Sequence, residues 1–233
     1  ANYGDAGASP AATSVAALGP LTSRGRYATL GGKLGQLPSS AWEIQWVAES
    51  FGKLGMKVLT LAGAEATKAN VRAQAAGRQI VHLACHGLAD ESYGNFFGAL
   101  ALSPGQKADD PTDDGFLTLP EIYQLNLREC QLAILSACET NCGPEQHGEG
   151  VWALSRGFLV AGARRVVASD WLVDDEAAAS LVSYFCGGVA QGTEGGHTPD
   201  YAEALTAAKR WVRGQEKWQS PYYWAPFVLV GPQ

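Results

Sequence analysis

The sequence predicts an α/β fold, a three-layer sandwich with a mainly parallel central sheet and helices on both faces. Three observations carry that prediction. Short apolar runs alternate along the chain with segments of helical spacing, the pattern of parallel strands joined by crossover helices. Two of these runs, Val81-His82-Leu83-Ala84-Cys85 and Leu132-Ala133-Ile134-Leu135-Ser136-Ala137, read as buried strands. Each stops abruptly at a reactive side chain, His86 in one and Cys138 in the other.

The elements follow in order. Residues 1–38, rich in Gly, Ala, Ser and Pro, read as loop or extended chain ahead of a domain spanning 39–233. Ser40-Ala41-Trp42-Glu43 has the spacing of a capping box and predicts a helix start there. Trp42, Trp46, Val47 and Phe51 recur at helical spacing, and Gly55 is the expected stop. Residues 57–61 read as a strand, 65–76 as a helix and 79–85 as a strand. An acidic loop over 104–114 separates 95–103 from 115–118, which together read as a hairpin. A short helix over 119–125 leads into the strand 131–137. Val151, Leu154, Phe158 and Leu159 mark a helix ending at Gly162, before a strand at 165–170. A helix starts near Asp174 and another at Asp200, and 224–230 closes as a strand. Trp42, Trp46, Trp152 and Trp211 fall at helical positions and are expected in the core.

Composition narrows the function classes. The chain has 233 residues, long enough for one large domain or two small ones. A net charge of −6 with scattered Lys and Arg, only Arg164 and Arg165 being adjacent, argues against nucleic-acid or anionic-membrane binding. No apolar stretch reaches the roughly 20 residues that span a bilayer. No signal-peptide pattern is visible at the start, and five irregularly spaced cysteines do not form a disulfide framework. A reducing cytoplasm fits best.

The chemistry is read from the strand ends. Neighbouring strands lie about 4.8 Å apart, so an imidazole and a thiol can face each other across one sheet edge. A thiol becomes a nucleophile near neutral pH when a base takes its proton, and His is the usual base. The pattern His82-x-x-x-His86 with Cys138-x-x-x-Cys142 superficially supplies four zinc ligands. The His pair sits in a strand and precedes the Cys pair, the reverse of the familiar fingers, so neither a metal nor another cofactor is expected.

These residues resemble the CHAT family, bacterial relatives of caspases and separases that usually follow tetratricopeptide repeats. The matching stretches include His82-Leu83-Ala84-Cys85-His86-Gly87, Leu135-Ser136-Ala137-Cys138-Glu139-Thr140 and Gly148-Glu149-Gly150. They continue through Phe158-Leu159-Val160-Ala161-Gly162-Ala163, Val166-Val167-Ala168-Ser169-Asp170-Trp171 with Asp174-Asp175, and Tyr223-Trp224-Ala225-Pro226-Phe227. The resemblance implies a caspase-like sandwich and a peptide-bond hydrolase, with His86 as general base and Cys138 as nucleophile. It places the backbone amides of Gly87 and Cys138 on the oxyanion. Asp175, Asp170, Trp171, Asp174 and Glu139 are the candidates for the substrate pocket. In separases the aspartate matching Asp175 recognises a basic residue, whereas Asp174 and Asp175 also suit the start of the following helix.

Two positions depart from the family pattern: Cys85 where Thr is common, and Asp170 where Leu usually precedes the tryptophan. Cleavage after Asp is not expected, because Arg164 and Arg165 begin their strand at the end away from the dyad. The acidic loop 104–114 reads as a solvated loop. The family's sheet begins one strand earlier, so the chain reads as the C-terminal part of a longer protein. Its expected partners are a protein substrate and an upstream repeat region or regulatory protein. The expected role is a proteolytic switch in bacterial defence or cell death. A catalytically latent interaction module and a thiol redox sensor pairing Cys138 with Cys142 remain as alternatives.

Overall fold

In the central sheet the strand sequences decide the layering, because successive residues point to opposite faces. The computed structural model describes residues 34, 35, 37–89, 98–105, 114–137, 140, 141, 145, 146, 150, 151 and 153–232. Strands β1 (Ile80–Ala84), β5 (Leu132–Ser136) and β8 (Val166–Ser169) run parallel, and β9 (Phe227–Val230) closes the sheet antiparallel to β8. The spatial order is β1-β5-β8-β9. Ala133, Leu135, Val166 and Ala168 face one apolar layer, while Leu132, Ile134 and Val167 face the other. All seven are fully buried, and side chains of Leu or Ile size contribute about 1.5–3 kcal/mol each.

The first layer is closed by α2 (Lys68–Ala75), α3 (Leu119–Ile122) and α4 (Leu154–Val160), through Val71, Leu119, Ile122, Leu154 and Phe158. The second is closed by α1 (Pro38–Gly52), α5 (Asp175–Thr193) and α6 (Tyr201–Arg213). Helix α5 packs against both α1 and α6. The α/β sandwich with a mostly parallel sheet is therefore what the chain forms. The expected hairpin is present as well. Strands β3 (Ala99–Ala101) and β4 (Phe116–Thr118) pair antiparallel, and β2 (His86–Leu88) adds to β3. A two-stranded ribbon joins β6 (Glu145–Gln146) to β7 (Gly150–Val151), and a short helix α7 (Pro221–Trp224) precedes β9. The acidic residues 106–113 lie outside the described residues.

Four local expectations are corrected. Helix α1 starts at Pro38 rather than at a Ser40 cap, since proline at the first turn pre-sets the helical φ and gives up no bonded amide. Ser40 instead donates its hydroxyl to the Leu37 carbonyl, and Glu43 turns inward. The run 57–61 forms no ladder among the described residues. A groove of about 230 Å³ lies between it, α1, α2 and β1, and none of the described strands pairs with it. The helix expected over 65–76 is split into a 3-10 turn, Gly63–Glu65, and α2, whose cap is Thr67. Finally, Trp46 is 51% exposed and Trp211 is 37% exposed, not in the core. The buried stripe of α1 is Ser39, Glu43, Val47 and Phe51, which leaves Trp46 on the solvent side. Trp211 stacks on Tyr184 at the surface, with ring centroids 5.1 Å apart.

Candidate active site

The site is built on strands that end together. In the β1–β5 register Val81 lies opposite Ala133 and Ala84 opposite Ser136, and the Cys85 amide extends the ladder to the Ser136 carbonyl at 3.3 Å. His86 follows Ala84 by two residues, just as Cys138 follows Ser136 by two. Beyond Cys85 the chain enters β2, where His86 pairs with Ala101 and Gly87 with Leu100. The hairpin thus fixes the histidine's backbone at the carboxyl edge of the sheet. Cys138 and Glu139 lie outside the described residues, as do Cys142 and the family-motif residues Gly148 and Glu149.

One ring nitrogen of His86 has a defined role. Its Nε2 lies 2.8 Å from the Gly35 carbonyl oxygen, which only accepts, so Nε2 carries the hydrogen. In the neutral ring the lone pair then sits on Nδ1, the nitrogen that can take up a proton. Both His86 and Gly87 are half-buried.

The segment flanking Cys138 is held on both sides. Ala137 and Thr140 are buried, and the Ala137 carbonyl accepts from the Ser169 hydroxyl at 2.7 Å. Ser169, the last residue of β8, donates its amide to Thr140 Oγ1 at 3.0 Å and accepts from the Asn141 amide at 2.9 Å. Asn141 also donates its side-chain amide to Asp170 at 2.7 Å and accepts from the Ser155 hydroxyl at 2.6 Å.

The pocket candidates gather at the end of β8, and each described acid already holds a hydrogen bond. Asp170 accepts from Asn141. Asp174 caps α5 by accepting from the Ala177 amide at 2.9 Å. Asp175 accepts from the Ser39 amide at 2.9 Å and so ties α5 to the start of α1. Trp171 is 36% exposed and donates its indole N–H to the Tyr222 carbonyl at 3.1 Å. Burial pulls the Lys209 ammonium below its ordinary pKa, partly offset by the carboxylate of Asp170.

One buried group escaped the sequence reading. Glu43, 2% exposed, spans the two strands that end at the site. Its Oε1 lies 2.6 Å from His82 Nε2 on β1, and its Oε2 accepts from the Ser136 hydroxyl on β5 at 3.0 Å. Burial and then the Glu43 carboxylate push the neighbouring Cys186 thiol well above its ordinary pKa. The signal was available: Glu43 is in phase with Val47 and Phe51 on the apolar stripe of α1, where a charge calls for a partner. Thr140 and Ser169 offered no comparable signal. Among the described residues, no three His, Cys, Asp or Glu side chains gather as a metal site requires. No helix among them is long and apolar enough to cross a membrane.

Comparison with known proteins gives the family of the fold. The family described as CHAT domain matches residues 8–232. The chain is also similar to tetratricopeptide repeat protein 28 of Homo sapiens, with 25% identity over 224 residues. That match covers 84% of this chain and 8% of the human protein, so the chain spans less than a tenth of its relative's length.

Proposed function

The chain belongs to the CHAT domain family, and on that premise we propose that it is a cysteine-type endopeptidase working through His86 and Cys138. One observation carries the reading: the Gly35 carbonyl holds His86 in the tautomer whose Nδ1 is the proton acceptor. The in-register ends of β1 and β5 support it, since His86 follows Ala84 and Cys138 follows Ser136 by the same two residues.

In this reading His86 Nδ1 takes the proton of the Cys138 thiol, and the thiolate attacks the scissile carbonyl carbon. The backbone amides of Gly87 and Cys138 stabilise the oxyanion. As the C–N bond breaks, the imidazolium gives its proton to the leaving amine, and a thioester remains on Cys138. Water, deprotonated by His86, then attacks the thioester. The acid product leaves and the thiol is restored. No metal or cofactor enters any step.

The substrate is a protein chain whose residues flanking the cut meet the surface after β8, where Asp170, Trp171, Asp174 and Asp175 follow one another, with Glu139 beside the nucleophile in sequence. Trp171 and Leu172, 36% and 58% exposed, offer that surface apolar area, and the acids favour a basic or neutral side chain. The human relative is named for tetratricopeptide repeats, which supports an upstream repeat region as the domain's regulatory partner. The role is a regulated proteolytic switch in the cytoplasm, in bacterial defence or cell death as the resemblance implies.

The test is active-site labelling with peptide electrophiles carrying Arg, Leu or Asp, on wild type, Cys138→Ala and His86→Ala. Labelling is expected to vanish in Cys138→Ala and to weaken in His86→Ala, with Asp the poorest probe. Labelling mapped to Cys142 or Cys85 overturns the mechanism, and no labelling at all favours a latent interaction module.

A further inference from the structure

We propose that Glu43 is a positioning residue of the dyad, a buried bridge that fixes the relative placement of the two strand ends carrying His86 and Cys138. The inference rests on the dyad reading above. Its ground is that both carboxylate oxygens are spent on the two catalytic strands, one on His82 of β1 and one on Ser136 of β5. His82 lies four residues before His86, and Ser136 lies two residues before Cys138.

The sheet alone does not secure that placement. Parallel ladders repeat evenly, and a slip of two residues keeps every side chain on its own face. The apolar layers therefore penalise a one-residue slip strongly and a two-residue slip weakly. A buried carboxylate is different, because it is satisfied at one register only. Shifting β1 against β5 strips it of one partner, and an unpaired buried charge is among the most costly defects in a fold. The side chains of Glu43 and His82 are only 3% and 10% exposed, so water cannot replace a lost partner cheaply.

The rest of the helix start serves the same placement. One turn before Glu43, the Ser39 amide is bonded to Asp175, and shortly before that the Gly35 carbonyl holds His86. One short stretch of chain thus reaches the general base directly and both strands through Glu43.

The test is the rate of Cys138 alkylation by iodoacetamide, mapped by mass spectrometry, because this probe needs no substrate pocket. The proteins are wild type, Glu43→Ala, Glu43→Gln, His86→Ala and Glu43→Ala/His86→Ala, each checked for folding by circular dichroism. Glu43→Ala is expected to slow alkylation about tenfold, as when a thiol pKa returns about one unit towards its free value. Glu43→Gln is expected to stay within about threefold of wild type, since its oxygen accepts from His82 while its amide donates to Ser136. In the His86→Ala background, Glu43→Ala is expected to add less than about twofold, the non-additivity of groups acting through one another.

Equal slowing in both backgrounds, or a Glu43→Gln rate as low as that of Glu43→Ala, overturns the positioning role while leaving the dyad intact. His86→Ala alone without effect overturns the dyad and this inference with it. Should Glu43→Ala not fold, Ser136→Ala removes one arm of the bridge, and the same cycle with His86→Ala decides.

Discussion

Lys68 anchors the small sheet that carries His86, and its replacement by Met should unseat that sheet measurably. The residue is 3% exposed, and its Nζ lies 2.8 Å from Asp114 Oδ1 and 3.0 Å from Glu121 Oε1. Asp114 precedes β4 and Glu121 follows it in α3, and β4 pairs with β3, which in turn pairs with the strand of His86. At an effective dielectric near 20, each contact is worth about 5 kcal/mol of gross attraction, most of it offset by desolvation. Met keeps the buried stem but leaves both carboxylates without their cation, a defect of about 3–5 kcal/mol when fully buried. Asp114 and Glu121 keep 17% and 20% side-chain exposure, and Glu121 retains its contact with Arg72, so part of that penalty is relieved. The expected loss is about 2–4 kcal/mol, or a fall in Tm of about 5–15 °C at this chain length. Burial by itself raises the pKa of Glu121, but the Thr118 amide, then Lys68 and the Thr118 hydroxyl, hold it below its ordinary 4.5. Because the folded pKa is depressed, this stabilisation is complete above the unfolded value and is lost as pH falls through the folded one. Thermal melts of wild type and Lys68→Met should therefore differ most near pH 7 and converge as pH falls through the depressed folded pKa of Glu121. Equal Tm at pH 7, or a difference that stays constant down to pH 3, would refute the reasoning.

Two further outcomes are expected. Gly162 has φ +113°, and an added Cβ would stand 2.9 Å from the Arg128 backbone nitrogen, so Gly162→Ala meets main chain that cannot yield. It should cost at least about 2 kcal/mol in urea unfolding, and an unchanged midpoint would contradict the described turn. Burial pushes the Cys130 thiol up to about 11 and, with Glu43 adding to it, the Cys186 thiol well above its ordinary value. Both should resist iodoacetamide at pH 8 until urea is added, as peptide mapping would show; alkylation of either in the folded protein would count against the packing.

The sheet was legible in the sequence because its strands are buried on both faces, and unbroken apolar runs such as 132–135 announce that burial locally. The run 57–61 looked similar, yet a strand exists only when another backbone lies beside it. That condition belongs to the tertiary fold. Helix α1 shows the same limit within one element. Ser40 and Glu43 have capping-box spacing, but the residues that claim Glu43 stand 39 and 93 positions away. Local pattern had no access to them. Trp46 was misplaced for a related reason: it satisfies helical spacing, while the buried stripe is set by Val47 and Phe51 against α5. At the site, the equal offsets of His86 and Cys138 could be read from the strand endings. The Gly35 contact could not, because it joins residues 51 apart through a segment with no pattern of its own.

The geometry at the strand ends is set by hydrogen bonds between main chain and a few polar side chains as well as by apolar packing. Ala137 is fixed by its carbonyl to Ser169, and Thr140 by its hydroxyl to the same residue. His86 is fixed through the β2–β3 ladder and the Gly35 carbonyl. Neither anchor depends on a bound ligand, so the ends of β5 and β8 and the start of β2 are organised in the free protein. What the ladders leave weakly specified is the slip of β1 along β5, and Glu43 is the described side chain that bonds to both strands. A change that moves α1 along its own axis therefore acts on both strands, and so on both halves of the proposed dyad, without touching either residue.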